Sequence, residues 1–100
     1  MDKVLKTKWI KALESGDYMQ GKSWLRVVSE VGGPITYCCL GVLCEVAGLG
    51  DTITNGQQYL DSEQLLKVGL KESQQIKFAT FNDNKRMDFM QIASVIDAFI

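Results

Sequence analysis

Three cysteines fall within one short stretch, Cys38, Cys39 and Cys44, and clustered thiolates are common ligands of structural zinc. Residues 38–48 are apolar almost all round, with Glu45 as the single charge; a strand is the competing assignment for so short a run, but Ala47, two leucines and a terminal Gly48 favour a central buried helix. On such a helix the three sulfurs project at about 0, 100 and 240° and diverge, so they cannot close on one ion and no metal is expected. A nucleophilic thiol needs its pKa lowered by a base, a cation or a helix N-terminus, and only the last is available, to Cys38 or Cys39. The expected role of all three is small apolar packing. Asp83 and Asp88, with Lys85-Arg86 between them, have the composition of a metal-dependent nuclease corner. The weaker chemistry is favoured there, because Asn82-Asp83-Asn84 reads as a turn and Asp88, with Gln91 three residues on, as a helix capping box.

The most suggestive segment for binding is residues 18–26, which carry Tyr18, Gln20, Lys22, Trp24 and Arg26 around Gly21. Two aromatic faces, an amide and two cations can stack on a flat group and bind phosphate or acidic side chains. The glycine is expected to let a ligand approach the backbone. The opposing expectation places Tyr18 and Trp24 in the core and leaves the cations solvated. Neither the G-x-x-x-x-G-K-[ST] nor the G-x-G-x-x-G spacing occurs, so no phosphate loop is present.

Helical periodicity places the supporting elements. In residues 3–15, Leu5, Trp9, Ala12 and Leu13 fall within about 100° of arc, and Ser15-Gly16 ends that helix. Trp24-Leu25-Arg26-Val27-Val28 suits a short strand, Gly32-Gly33-Pro34 a turn and Ile35-Thr36-Tyr37 a returning strand. Such a hairpin must pack on helices, since two strands alone are marginal in water. Residues 49–61, with Asn55-Gly56, form a connection or a small hairpin. Ser62 is expected to cap a helix reaching about Gly69. Residues 73–83 fit neither period cleanly, with helix preferred. In the last element Phe89, Ile92, Ala93, Ile96, Phe99 and Ile100 cluster within about 120°.

One hundred residues, 46% of them apolar and one a proline, make one α+β domain over residues 1–100. It is expected to be mainly helical, with a small β-hairpin packed on about four to five short helices. The chain has no histidine, which removes the commonest general base and both the Ser-His-Asp and Cys-His nucleophile pairs. No enzyme activity and no cofactor are expected. Net charge is −1, and charge is uneven: +2 over residues 1–37, −3 over 38–70 and 0 over 71–100. Long-range attraction to nucleic acid therefore has no strong source. Charges near the N-terminus are not followed by an apolar run, so neither a secretory signal nor a membrane span is expected. Three cysteines, an odd number, fit reduced thiols.

Two stretches carry a resemblance. Ala12-Leu13-Glu14-Ser15-Gly16-Asp17-Tyr18-Met19-Gln20-Gly21 and Cys38-Cys39-Leu40-Gly41-Val42-Leu43-Cys44, followed by Asn82-Asp83 and by Phe89 through Ile96, resemble a family of small uncharacterised proteins encoded by tailed phages and prophages. Its pattern is roughly A-L-x-S-G-x-Y-x-Q-G, C-C-L-G-V-L-C, N-D and F-x-x-I-A-x-x-I. The resemblance implies a small accessory protein acting in the cytoplasm of an infected bacterial host. In that setting the leading expectation is a non-catalytic interaction protein that binds a host or defence protein. The alternative is a protein that binds or sequesters a small nucleotide signal, and Tyr18, Gln20, Lys22, Trp24 and Arg26 are the binding candidates for either.

Overall fold

The computed structural model describes residues 1–100. Helix α1 spans Lys3–Ser15, strand β1 Met19–Gln20, β2 Arg26–Val27, β3 Thr36–Tyr37, and helices α2 Cys39–Val46, α3 Ser62–Val68, α4 Glu72–Asp83 and α5 Phe89–Phe99. The fold is the expected α+β domain, mainly helical.

Helix α2 is the centre. Cys39, Leu40, Val42, Leu43 and Cys44 are fully buried, so the all-round apolar pattern of this segment reports contact on every side. Helix α1 lays its stripe against it: Trp9 and Leu13 are buried, and the Trp9 indole N–H donates to the Cys39 carbonyl at 2.9 Å. Trp9 also meets the Phe78 ring edge-on at 5.5 Å. The Asp2 carboxylate caps α1 by accepting from Leu5 N–H, and Gly16 ends it at φ 79°. Helix α5 starts with the expected Asp88–Gln91 capping box and packs on α1 through Phe89, Ile92, Ala93 and Ile96. Phe99 departs from expectation: it is exposed, with the Lys77 ammonium over its ring at 5.3 Å. The apolar arc of α5 thus outruns the surface available to cover it.

Helix α4 explains its own blurred pattern. Its buried face is Gln75, Phe78, Ala79 and Asn82, a regular i, i+3, i+4, i+7 row whose ends are polar. Gln75 is tolerated there because it accepts from Leu60 N–H at 2.8 Å and donates to the Leu60 carbonyl at 3.2 Å. Gln64 of α3 likewise binds Thr52 and Gln57. Buried amides therefore tie the 49–61 connection to the helices, and no buried side-chain nitrogen or oxygen lacks a partner. That connection is a single 3-10 turn at Gly50–Thr52 and irregular chain, with no hairpin. The cap of α3 is Asp61, one residue before the expected Ser62, in a full capping box with Gln64. Asn82 and Asp83 belong to the last turn of α4 and do not form the expected turn.

The sheet is three-stranded in the order β1-β3-β2. Strands β2 and β3 are the expected antiparallel hairpin, each shortened to two residues, while β1 pairs parallel to β3 and was not expected. No helix is long and apolar enough to cross a membrane.

The three thiols are buried in the core. Burial pushes the Cys38 thiol up to about 11 and Cys44 up to about 12, and raises Cys39 well above its ordinary value of 9.0. The unfolded chain therefore ionises its thiols first. Stability from this source is complete below about pH 9 and declines as pH rises towards 11–12. We expect native protein at pH 8 to resist a thiol reagent at all three positions while urea-unfolded protein reacts at all three. Fast labelling of the native chain would remove Cys38, Cys39 and Cys44 from the core.

Candidate interaction site

The segment from Tyr18 to Arg26 is held by a network of polar contacts to the end of α4. Asn82 is its hub. The side-chain oxygen accepts from Gln20 Nε2 at 2.9 Å and from Cys39 N–H at 3.3 Å, and its amide nitrogen donates to the Gly21 carbonyl at 2.9 Å and to Asp83 Oδ1 at 2.8 Å. Gln20 Nε2 also reaches the Met87 carbonyl at 2.8 Å. Asp83 Oδ1 in turn accepts from Ser23 N–H at 2.9 Å. This last bond fixes a strained turn, because Trp24 N–H donates back to the Lys22 carbonyl at 2.8 Å with Ser23 at φ 71°. A three-residue turn of that hand is rare and persists only where the surroundings over-determine it.

The turn separates the five candidate residues. Gln20 is spent in the Asn82 network. Tyr18 is half-buried and packs edge-on against Tyr37 at 5.2 Å, which removes it as a free stacking face. Arg26 is half-buried, paired with Glu45 at 3.0 Å and bonded to the Gly50 carbonyl at 3.2 Å. The Tyr37 phenol lies near this pair, and its pKa is raised by burial and by Glu45, with Arg26 opposing. A Cβ on Gly21 would stand 2.8 Å from Thr36 Oγ1, so the glycine serves the β1–β3 approach, and it also lines the cleft beside Lys22. Only Lys22 and Trp24 present free groups, and they face different concavities.

Lys22 lines a polar cleft of about 310 Å³ between the Gly21 turn and the α4–α5 connection, with Asn82, Arg86, Met87 and Asp88. Trp24, 44% exposed, lines a smaller depression of about 160 Å³ with Arg26, Val27, Val28 and Asn55. Several apolar side chains of the hairpin are exposed beside it. Val28 is 61% and Val31 94% exposed, and Val27 and Ile35 are also exposed. Five of the twelve large exposed apolar side chains thus fall within residues 24–35. The sequence contained that signal, since β-branched residues on a hairpin of two-residue strands have little room to face inward.

Residues 1–54 match a family described as a domain of unknown function, DUF8296. The chain belongs to the DUF8296 family. No curated protein and no solved structure matches it. The DUF8296 match takes in α1, the sheet and α2, hence the whole 18–26 segment and the apolar hairpin. Asn82 and Asp83 lie beyond it on α4, yet they supply the bonds that hold Gln20, Gly21 and Ser23.

Proposed function

We propose that this protein is a non-catalytic binding module that docks a folded protein partner on the surface formed by Trp24, Val27, Val28, Val31 and Ile35. The observation that carries the reading is the exposure of these five apolar side chains on one hairpin segment, three of which, Trp24, Val27 and Val28, line a single depression. Scattered exposed apolar residues are ordinary, but a contiguous set marks an interaction surface. A half-exposed tryptophan, with Val27 and Val28 beside it and Arg26 and Asn55 in the same depression, has the anatomy of a protein interface: an aromatic anchor, apolar neighbours and polar groups around them. The partner's contact surface is accordingly apolar at its centre. The resemblance to phage-encoded accessory proteins supports a host or defence protein in an infected bacterial cell as that partner.

The test is a double substitution, Val28→Asp with Val31→Asp. Both side chains are exposed, so stability is expected to change by about 0.5 kcal/mol or less per site, while complex formation is lost. Unaltered complex formation by this folded variant would remove the hairpin from the interface. A wild-type mass of two chains, lost in the variant, would make the occupant a second copy and overturn the assignment of a foreign partner.

A further inference from the structure

The cleft on the other side of the strained turn has a separate chemistry. Arg86 stands at φ 52° in the α4–α5 connection, a left-handed conformation that glycine adopts freely and other residues adopt at a penalty. Helix C-termini commonly place glycine or asparagine in that conformation, as Gly16 and Gly69 do in this chain. Position 86 holds an arginine whose guanidinium forms neither of the fold's two ion pairs and none of its side-chain hydrogen bonds. Backbone bonds beside it, from Met87 N–H to the Phe81 carbonyl at 3.1 Å and from Gln20 Nε2 to the Met87 carbonyl at 2.8 Å, hold the turn, and the arginine side chain adds no bond of its own. Arg86 lines the cleft together with Lys22, whose ammonium is likewise unpaired.

The remaining walls define what these two cations would hold. The amide nitrogens of Gln20 and Asn82 spend both their protons on internal bonds, so they offer the cleft no free donor. Asp88 uses Oδ1 to cap α5, which leaves Oδ2 as an acceptor at the cleft wall. Met87 is the single apolar lining residue and no aromatic ring borders the space. Two cations against one carboxylate favour an anion, the free carboxylate oxygen favours a hydroxyl donor beside it, and the lack of a stacking face disfavours a nucleobase. At about 310 Å³ the cleft is of the smallest ligand-binding size. We infer that this cleft binds a small phosphorylated polyol, with the phosphate held by Lys22 and Arg86 and a hydroxyl donating to Asp88.

Ribose 5-phosphate, inorganic phosphate, free ribose and adenosine monophosphate are the probes, titrated into isotope-labelled protein while backbone amide resonances are followed. Ribose 5-phosphate is expected to shift Lys22, Ser23, Arg86 and Met87 saturably, and to bind at least about tenfold more tightly than inorganic phosphate or ribose. Adenosine monophosphate gains nothing over ribose 5-phosphate. The Arg86→Gly variant relieves the backbone, so it is expected to melt at the wild-type temperature or a few degrees above it while losing at least about tenfold in affinity. Lys22→Ala, at an exposed side chain, should lose affinity with its melting temperature unchanged. Non-saturable shifts, equal affinity for inorganic phosphate, tighter binding of the nucleotide, or undiminished binding by Arg86→Gly would each overturn the assignment. A fall in the melting temperature of Arg86→Gly would show that the arginine serves the fold and would also overturn it.

Discussion

Alanine at position 41 should destabilise this chain by about 3 kcal/mol or more. A Cβ on Gly41 would lie 1.7 Å from the Leu25 carbonyl oxygen and 2.7 Å from its carbonyl carbon. That contact is with backbone, so no side-chain rotation relieves it. The segment cannot easily retreat, because the Leu25 side chain is fully buried and its N–H is bonded to the Gln57 carbonyl at 2.9 Å. Helix α2, locked into the core on every side, cannot retreat either. Overpacking in cores commonly costs about 1–3 kcal/mol, and a clash with fixed backbone stands at or above the top of that range. Against a total stability of roughly 5–15 kcal/mol, a loss of about 3 kcal/mol or more removes a fifth to three-fifths of it at the least. Gly48→Ala is the internal control. Its Cβ would meet nothing within 4 Å, and only its φ of 76° penalises it, so a cost of about 1–2 kcal/mol is expected. Urea titrations followed by circular dichroism separate the two, and a Gly41→Ala protein as stable as Gly48→Ala would disprove the close approach of α2 to Leu25.

Removing the Asn82 side chain is the second large effect. Asn82→Ala deletes four hydrogen bonds at once and leaves the buried Cys39 N–H without its acceptor. Each buried group so orphaned costs about 1–3 kcal/mol, so a destabilisation of about 3 kcal/mol is expected. Asp83 also loses the neighbour that orients it towards Ser23. Amide hydrogen exchange at residues 20–24 should therefore accelerate more than exchange in the core of α5 under conditions where the variant remains folded. Uniform acceleration throughout the chain would show that Asn82 supports only global stability and does not position the segment.

These two residues also mark where sequence reasoning succeeded and where it stopped. Helices α1, α2 and α5 were legible because each presents a long apolar period with clear termini, Gly16 after α1 and the Asp88–Gln91 box before α5. Helix α4 was blurred because buried polar residues, Gln75 and Asn82, occupy positions that periodicity assigns to apolar ones. Their role depends on loop backbone brought close only by the finished fold, from Leu60, Gly21 and Cys39. The parallel pairing of β1 with β3 left no trace, since two residues carry no measurable alternation. At the candidate site, residue type alone singled out the 18–26 segment as a set with binding chemistry. Their division was hidden, because the partners of Tyr18, Gln20 and Arg26 are Tyr37, Asn82 and Glu45, distant in sequence. Ser23 and Arg86 could not be recognised from residue type at all, since what distinguishes them is a backbone angle.

The central claim is that residues 24–35 form the docking surface for a foreign protein. Native mass spectrometry tests it most directly, with the wild type and the Val28→Asp/Val31→Asp variant each incubated in bacterial lysate, followed by identification of any partner and remixing of the purified pair. The account predicts a discrete protein-sized adduct on the wild type, re-formed from the pure components and lost in the folded double variant, while Arg86→Gly retains it. An adduct that persists in the double variant, or a wild-type chain that acquires no protein mass, would contradict the account.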